Sequence, residues 1–172
     1  MKINFQLFAV IALFGAGVVL SRQFYSTAST QDLWFMLYPL QAIVSLFGGL
    51  SFEALPEGYY HAGEDVLINS SCAGINFWLI SLSTWFGWLL LAAKPVAYLL
   101  RALLVLIPVS WAFALLVNAS RILFFIKLNH VLPGGGFPLD HFEAGALIYL
   151  SALLSSMLVL RKLSQSTPLS YA

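Results

Sequence analysis

Apolar residues run almost unbroken through residues 3–20 (INFQLFAVIALFGAGVVL) and again through about 33–50, 74–93, 97–118 and 142–160. As helices, stretches of this length cross a hydrocarbon layer of about 30 Å. The pattern therefore predicts an all-α integral membrane protein, a bundle of five or six transmembrane helices. Pro39 and Gln41 predict a kink in the second span, and Gly48 and Gly49 end it. Lys94 and Pro95 close the third span, and Arg161 and Lys162 cap the last. The segment ILFFIKLNHVL after Arg121 is apolar but short and carries Lys127 and His130, so it reads as an interfacial helical extension. Pro133, Gly134, Gly135, Gly136 and Pro138 make the loop that follows it.

The longest polar stretch, residues 51–71, holds four acids and no Lys or Arg. Within it, Tyr59–His61 and Val66–Ile68 flank an Ala62-Gly63 turn, which predicts a short hairpin at the membrane surface before the third span. Met1 and Lys2 ahead of an apolar run would also suit a signal peptide. No convincing small-residue cleavage site precedes Arg22, so the first segment is expected to stay as a span.

Composition narrows the class. Of 172 residues, 60% are hydrophobic and 9% charged, far below the roughly 25% charged of a soluble domain. A net charge of +1 supplies no basic field for nucleic acid. One polytopic domain over residues 1–163 and a disordered tail over 164–172 account for the length. The single cysteine, Cys72, has no intrachain disulfide partner.

Charge also orients the spans. With the acidic loop outside, Arg22, Lys94, Arg101, Arg161 and Lys162 fall on the cytoplasmic side and Lys2, Arg121 and Lys127 outside. Five spans then place the N-terminus outside, with six of the seven acids, all but Asp32, on that same side. Lys2 is the exception, and bringing it inside requires a re-entrant helix or an inverted map.

Three residues stand out chemically. Cys72, in Asn69–Gly74 (NSSCAG), lies where the polar loop enters the third span, and unpaired amides and the dipole at a helix N-terminus favour a thiolate. Arg121 has apolar sequence on both sides, where a guanidinium is expensive. Some 27 residues of helix at about 1.5 Å each carry it from the level of Lys94 to the level of Cys72. Asn118, three residues earlier, shares its face and could hold the guanidinium or join a polar site. His141 opens the last span at the same level, with Gly145 one turn on leaving room for a backbone or substrate. Taken one at a time, these are a small buried thiol, an anchoring arginine and a capping histidine. Converging at one depth, they suit acyl transfer, in which a thiolate attacks a carbonyl, an imidazole moves protons and a guanidinium stabilises negative charge. They are expected to face a cleft between the third, fourth and fifth spans.

At these positions the sequence resembles the exosortase and archaeosortase family, with Cys72-Ala73-Gly74 opening a helix, Asn118-Ala119-Ser120-Arg121 ending another, and His141 followed by Gly145. The resemblance covers roughly residues 55–160 and is nearest the compact forms called exosortase K. It implies a cysteine peptidase or transpeptidase of the cytoplasmic (inner) membrane, multi-pass, with its site on the extracytoplasmic side. It implies Cys72 as nucleophile, Arg121 as charge stabiliser and His141 as acid and base, with Asn118, Gly74 and Gly145 as binding positions. The implied partners are membrane-anchored proteins bearing a C-terminal sorting signal, in the lipid bilayer, with no cofactor and no metal.

Two other readings compete. A non-enzymatic transporter or assembly subunit would use Pro39, Gln41, Asn76 and Arg101 as pathway or packing groups. A metal site could gather His61, Glu64, Asp65, His130, Asp140, His141 and Glu143, although no metal-binding spacing supports it. His61 and His130 otherwise read as surface histidines, and Glu57 and Glu64 as groups that repel or select a substrate. Trp34, Trp78, Trp85, Trp88 and Trp111 read as interface belts and packing.

Overall fold

The structure, a computed structural model, describes residues 5–92, 95–131 and 141–166, and within them all side chains but those of 141, 142 and 163–166. In chain order it contains α1 (Phe5–Thr27), α2 (Trp34–Gly48), β1 (Glu53–Leu55), β2 (Gly58–His61), β3 (Val66–Ile68), a 3₁₀ turn (Ser70–Cys72), α3 (Ile75–Leu91), α4 (Val96–Val131) and α5 (His141–Ser166). Four stretches are long and apolar enough to cross a membrane: Phe5–Thr27, Ser70–Leu91, Val96–Val131 and Glu143–Lys162. The protein is an α-helical membrane protein carrying one small sheet.

The second expected span is the exception. α2 has 15 residues, about 22 Å of helix, too short to cross on its own. Its end is set by Gly49, which takes a left-handed conformation (φ 66°) and donates its N–H to the Ser45 carbonyl. Its position is set by α4. At the start of α2, the ring of Phe35 meets Trp78 edge-on at 6.5 Å, and Trp78 Nε1 donates to Ser110 Oγ at 3.0 Å. At its end, Gly48 lies against Leu123. Helix α2 thus runs in the same direction as α4, along residues 110–123, burying Met36, Leu37, Leu40 and Val44.

The span expected over 97–118 and the interfacial extension after it are one helix. α4 has 36 residues, about 54 Å, so one end must project well beyond a hydrocarbon layer of about 30 Å. Apolar Ile122 and Ile126 keep the helix going past Arg121 because both are buried in the core shared with α2.

The expected hairpin is present as β2 and β3, paired antiparallel with Tyr60 opposite Leu67, and β1 adds a third strand with Glu53 opposite Tyr60. The sheet marks one end of the bundle. The Tyr25 hydroxyl near the end of α1 donates to the Ser70 carbonyl at 3.4 Å, and Thr30 donates to the Glu57 carbonyl at 3.2 Å. Further along, Phe14 of α1 meets Phe86 of α3 with ring centroids 4.4 Å apart. Helix α1 therefore runs antiparallel to α3 and ends beside the sheet. That placement corrects the five-span map: Arg22 and Asp32 lie toward the sheet, and α1 begins on the far side. At the α1–α2 turn, the Ser29 hydroxyl and amide both donate to Asp32, at 2.7 and 2.9 Å, and hold its carboxyl below the usual aspartate range.

Candidate active site

Asn69 accepts hydrogen bonds from the Ser71 amide (3.1 Å) and hydroxyl (2.7 Å), capping the 3₁₀ turn that presents Cys72. The Cys72 amide donates to the Asn69 carbonyl at 2.9 Å. The thiol is half-buried, with Sγ 3.8 Å from the Leu67 carbonyl and 3.9 Å from the Ser71 hydroxyl. Cys72 therefore lies just ahead of α3, at the junction where the sequence places it. It ends a separate turn, two residues ahead of the α3 N-cap, Gly74.

Gly74 makes that break possible. Its φ of 69° is left-handed, and a Cβ there would stand 3.0 Å from Asn118 Nδ2. The small residue lets α3 start hard against the Asn118 side chain. Asn118 is fully buried, and its Nδ2 donates to the Cys72 carbonyl while its Oδ1 accepts from the Tyr149 hydroxyl at 2.7 Å. Asn118, expected to hold the guanidinium or join a polar site, does the second: it ties the turn that bears Cys72 to α4 and α5.

Arg121, one turn further along α4, places its Cζ 5.3 Å from the centre of the Tyr149 ring. The group that comes close to Gly145 is the Arg121 side chain, since a Cβ there would lie 3.2 Å from Arg121 Cδ. The space expected to admit a backbone or substrate is thus filled from within the protein. Asn118 bonds both the Cys72 carbonyl and the Tyr149 hydroxyl, and Arg121 lies over the Tyr149 ring, which places the three residues in one neighbourhood. His141 is the first residue of α5, four residues before Gly145. Its side chain lies outside those described.

Tyr149 has no counterpart among the residues singled out from sequence. The available signal was spacing: 141, 145 and 149 fall on one helix face, and Tyr149 prolongs the His141–Gly145 pattern by another turn.

Arg121 also borders an open cleft of about 510 Å³, lined by Glu64, Asp65, Ser71, Ile122, Phe125 and Asn129 among others. The cleft lies between the β2–β3 turn, the 3₁₀ turn and the projecting end of α4, rather than between the third, fourth and fifth spans. The β2–β3 turn is tied to α4 by His130 Nε2 and Glu64, 2.9 Å apart, while His61 Nδ1 accepts from the Glu64 amide at 3.0 Å. His61 and His130, read as surface histidines, thus hold the wall of the cleft. Among the described residues, no group of three or more His, Cys, Asp or Glu is arranged to hold a metal ion. Asp140 lies outside the described residues.

The polar groups proposed for a transport path do not converge. Gln41 donates to Ser45 in its own helix at 2.8 Å, and Asn76 and Arg101 are exposed. Trp78 and Trp85 tie helices together, through Ser110 and through Ser156, each at 3.0 Å. Trp34 is two-thirds exposed. No family model, no curated protein and no solved structure matches the chain.

Proposed function

We propose that this protein is a membrane-embedded cysteine peptidase or transpeptidase in which Cys72 is the nucleophile, Arg121 the charge stabiliser and His141 the proton carrier. The observation that carries the reading is the bond from the buried Asn118 side chain to the Cys72 carbonyl, three residues from Arg121 on the same helix and next to the cleft that Arg121 borders. A thiol whose backbone is held by a buried amide, on a turn that shares a cleft with a guanidinium, fits acyl transfer better than it fits packing. His141 takes the Cys72 proton as the sulfur attacks a peptide carbonyl, and the Arg121 guanidinium stabilises the thiolate or the oxyanion. As the C–N bond breaks, the leaving amine takes that proton from His141. Water or an acceptor amine then attacks the thioester and gives its proton to His141, which passes it to the departing sulfur and restores the thiol.

The exosortase-like motifs supply the substrate class, membrane-anchored proteins with a C-terminal sorting signal. The exosortase-like motifs also imply a site on the extracytoplasmic side. Among the described residues, the acids Asp32, Glu53, Glu57, Glu64, Asp65 and Glu143 all fall on the sheet side, with Arg22, Arg121 and Lys127, while Arg101, Arg161 and Lys162 take the far side.

Intact-mass spectrometry of protein extracted from native membranes tests the reading. An adduct on Cys72 that neutral hydroxylamine removes, absent from Cys72→Ala, is the expected thioester. A free, unmodified thiol in membranes that contain freshly cleaved substrates contradicts it.

A further inference from the structure

Between α4 and α5 the Arg121 side chain is gripped in a way that catalysis by Cys72 and His141 alone does not explain. Its stem passes over Gly145, with Cδ 3.2 Å and Nη1 3.6 Å from where a Cβ would stand. Its guanidinium then lies over the Tyr149 ring, Cζ 5.3 Å from the centroid, within cation–π range. Gly145 and Tyr149 are one turn apart, so together they make a saddle on the α4-facing side of α5.

The saddle is itself held. The Tyr149 ring stacks on Phe77 of α3 with centroids 4.5 Å apart and planes 13° from parallel. Its hydroxyl donates to Asn118 Oδ1 at 2.7 Å. Phe77, Asn118 and Arg121 thus fix one side chain from two other helices. An arginine stem has many rotamers, and a ring fixed in this way selects among them.

We propose that Tyr149 is a positioning residue of this site, its ring seating the Arg121 guanidinium so that the positive charge stands beside Cys72. The proposal rests on the reading of Cys72 as nucleophile, and it names the group that makes Arg121 a fixed charge rather than a mobile one. The hydroxyl has a separate task, orienting Asn118 toward the Cys72 carbonyl. Phenylalanine at 149 would keep the seat and lose only the second task.

Cys72 is the sole cysteine of the chain, so its sulfur can report the local potential. Full-length protein in a neutral maltoside detergent is reacted with two methanethiosulfonates, one with an anionic and one with a cationic head group. The thiolate displaces sulfinate from each, and any change in thiol ionisation cancels in the ratio of the two rates. Arg121→Gln is expected to lower the anionic-to-cationic ratio about tenfold, the scale set by a unit charge several ångströms away in a watery cleft. Tyr149→Leu is expected to lower it at least roughly threefold on the same scale, and Tyr149→Phe to stay within about twofold of the wild-type ratio. Tyr149→Met, which keeps bulk but has no aromatic face, repeats the test should the leucine variant fold poorly, as helix content would show.

A wild-type ratio in Tyr149→Leu or Tyr149→Met, with the ratio lost in Arg121→Gln, overturns the seat and leaves the cysteine reading standing. A fall in Tyr149→Phe as large as in Tyr149→Leu also overturns it, by transferring the effect to the hydroxyl. No change in Arg121→Gln shows that the guanidinium is not beside the thiol and overturns the seat together with the role given to Arg121.

Discussion

On the sheet side, thirteen buried residues from the α1–α2 turn, α2, β3, the start of α3 and the outer half of α4 form one continuous core around Leu33, Leu40, Ile68 and Leu115. Among the described residues, the second cluster, in the far half, has three buried members, Val10, Phe86 and Leu99, with partly buried side chains around them. The difference follows from the surroundings. Where α4 projects beyond the hydrocarbon layer, apolar side chains gain by leaving water, and α2 supplies the surface that covers them. Inside the layer, lipid tails are as apolar as leucine, so helices associate through close packing and a few cross-helix hydrogen bonds, such as Trp85 to Ser156. The proposed site would sit where these two surroundings meet. There a buried polar side chain can be held rigidly by the core above it while a cleft stays open to water.

Perturbations near the boundary should therefore cost more, in rate or in stability, than those in the far half. The largest effect is expected from Arg121→Gln, a loss of about 10²–10³ in cleavage rate, the usual consequence of removing one preorganised charge stabiliser. Substrate cleavage in reconstituted vesicles, with helix content as control, checks it. Asn118→Ala removes a side chain bonded on both sides and leaves the Cys72 carbonyl without that donor. It should destabilise by roughly 1–3 kcal/mol, read as a lowered midpoint of thermal unfolding in detergent. Ser156→Ala in the far half deletes a cross-helix bond, and lipid-phase bonds average about 0.6 kcal/mol. An equal loss in both variants would abolish the contrast between the halves.

The smallest effect concerns pH at the α1–α2 turn. Ser29 lowers the folded-state pKa of Asp32, so the turn is stabilised fully above the ordinary aspartate value of about 4 and loses that help as pH falls through the lowered value. Amide hydrogen exchange at Ser29–Asp32 should rise below about pH 4, beyond the intrinsic pH dependence, and stay flat relative to it above that.

Much of this architecture is legible in the chain. Long apolar runs declare α1, α3, α4 and α5, and the turn at Ala62-Gly63 declares β2 and β3. Helix α2 misleads because a helix packed on the projecting part of α4 is as apolar as a spanning one, and composition does not distinguish a protein partner from lipid. The Gly48-Gly49 stop is visible, but the depth of the helix is not. That error reverses α1 and puts Arg22 on the wrong side of the charge count. At the site, the spacing of Asn118 and Arg121 shows that they share a face, whereas the need for Gly74 appears only once Asn118 is seen beside it. Tyr149 hides as one aromatic residue in an apolar helix, since its hydroxyl partner is 31 positions away.

The central claim concerns the sulfur of Cys72, and comparing substrate C-termini in otherwise identical membranes with wild-type protein or Cys72→Ala tests it most directly. Peptide mass spectrometry should find sorting-signal proteins truncated with the wild type and intact with the variant, provided both accumulate equally in the membrane. Truncated termini at the same abundance in both samples would contradict the account.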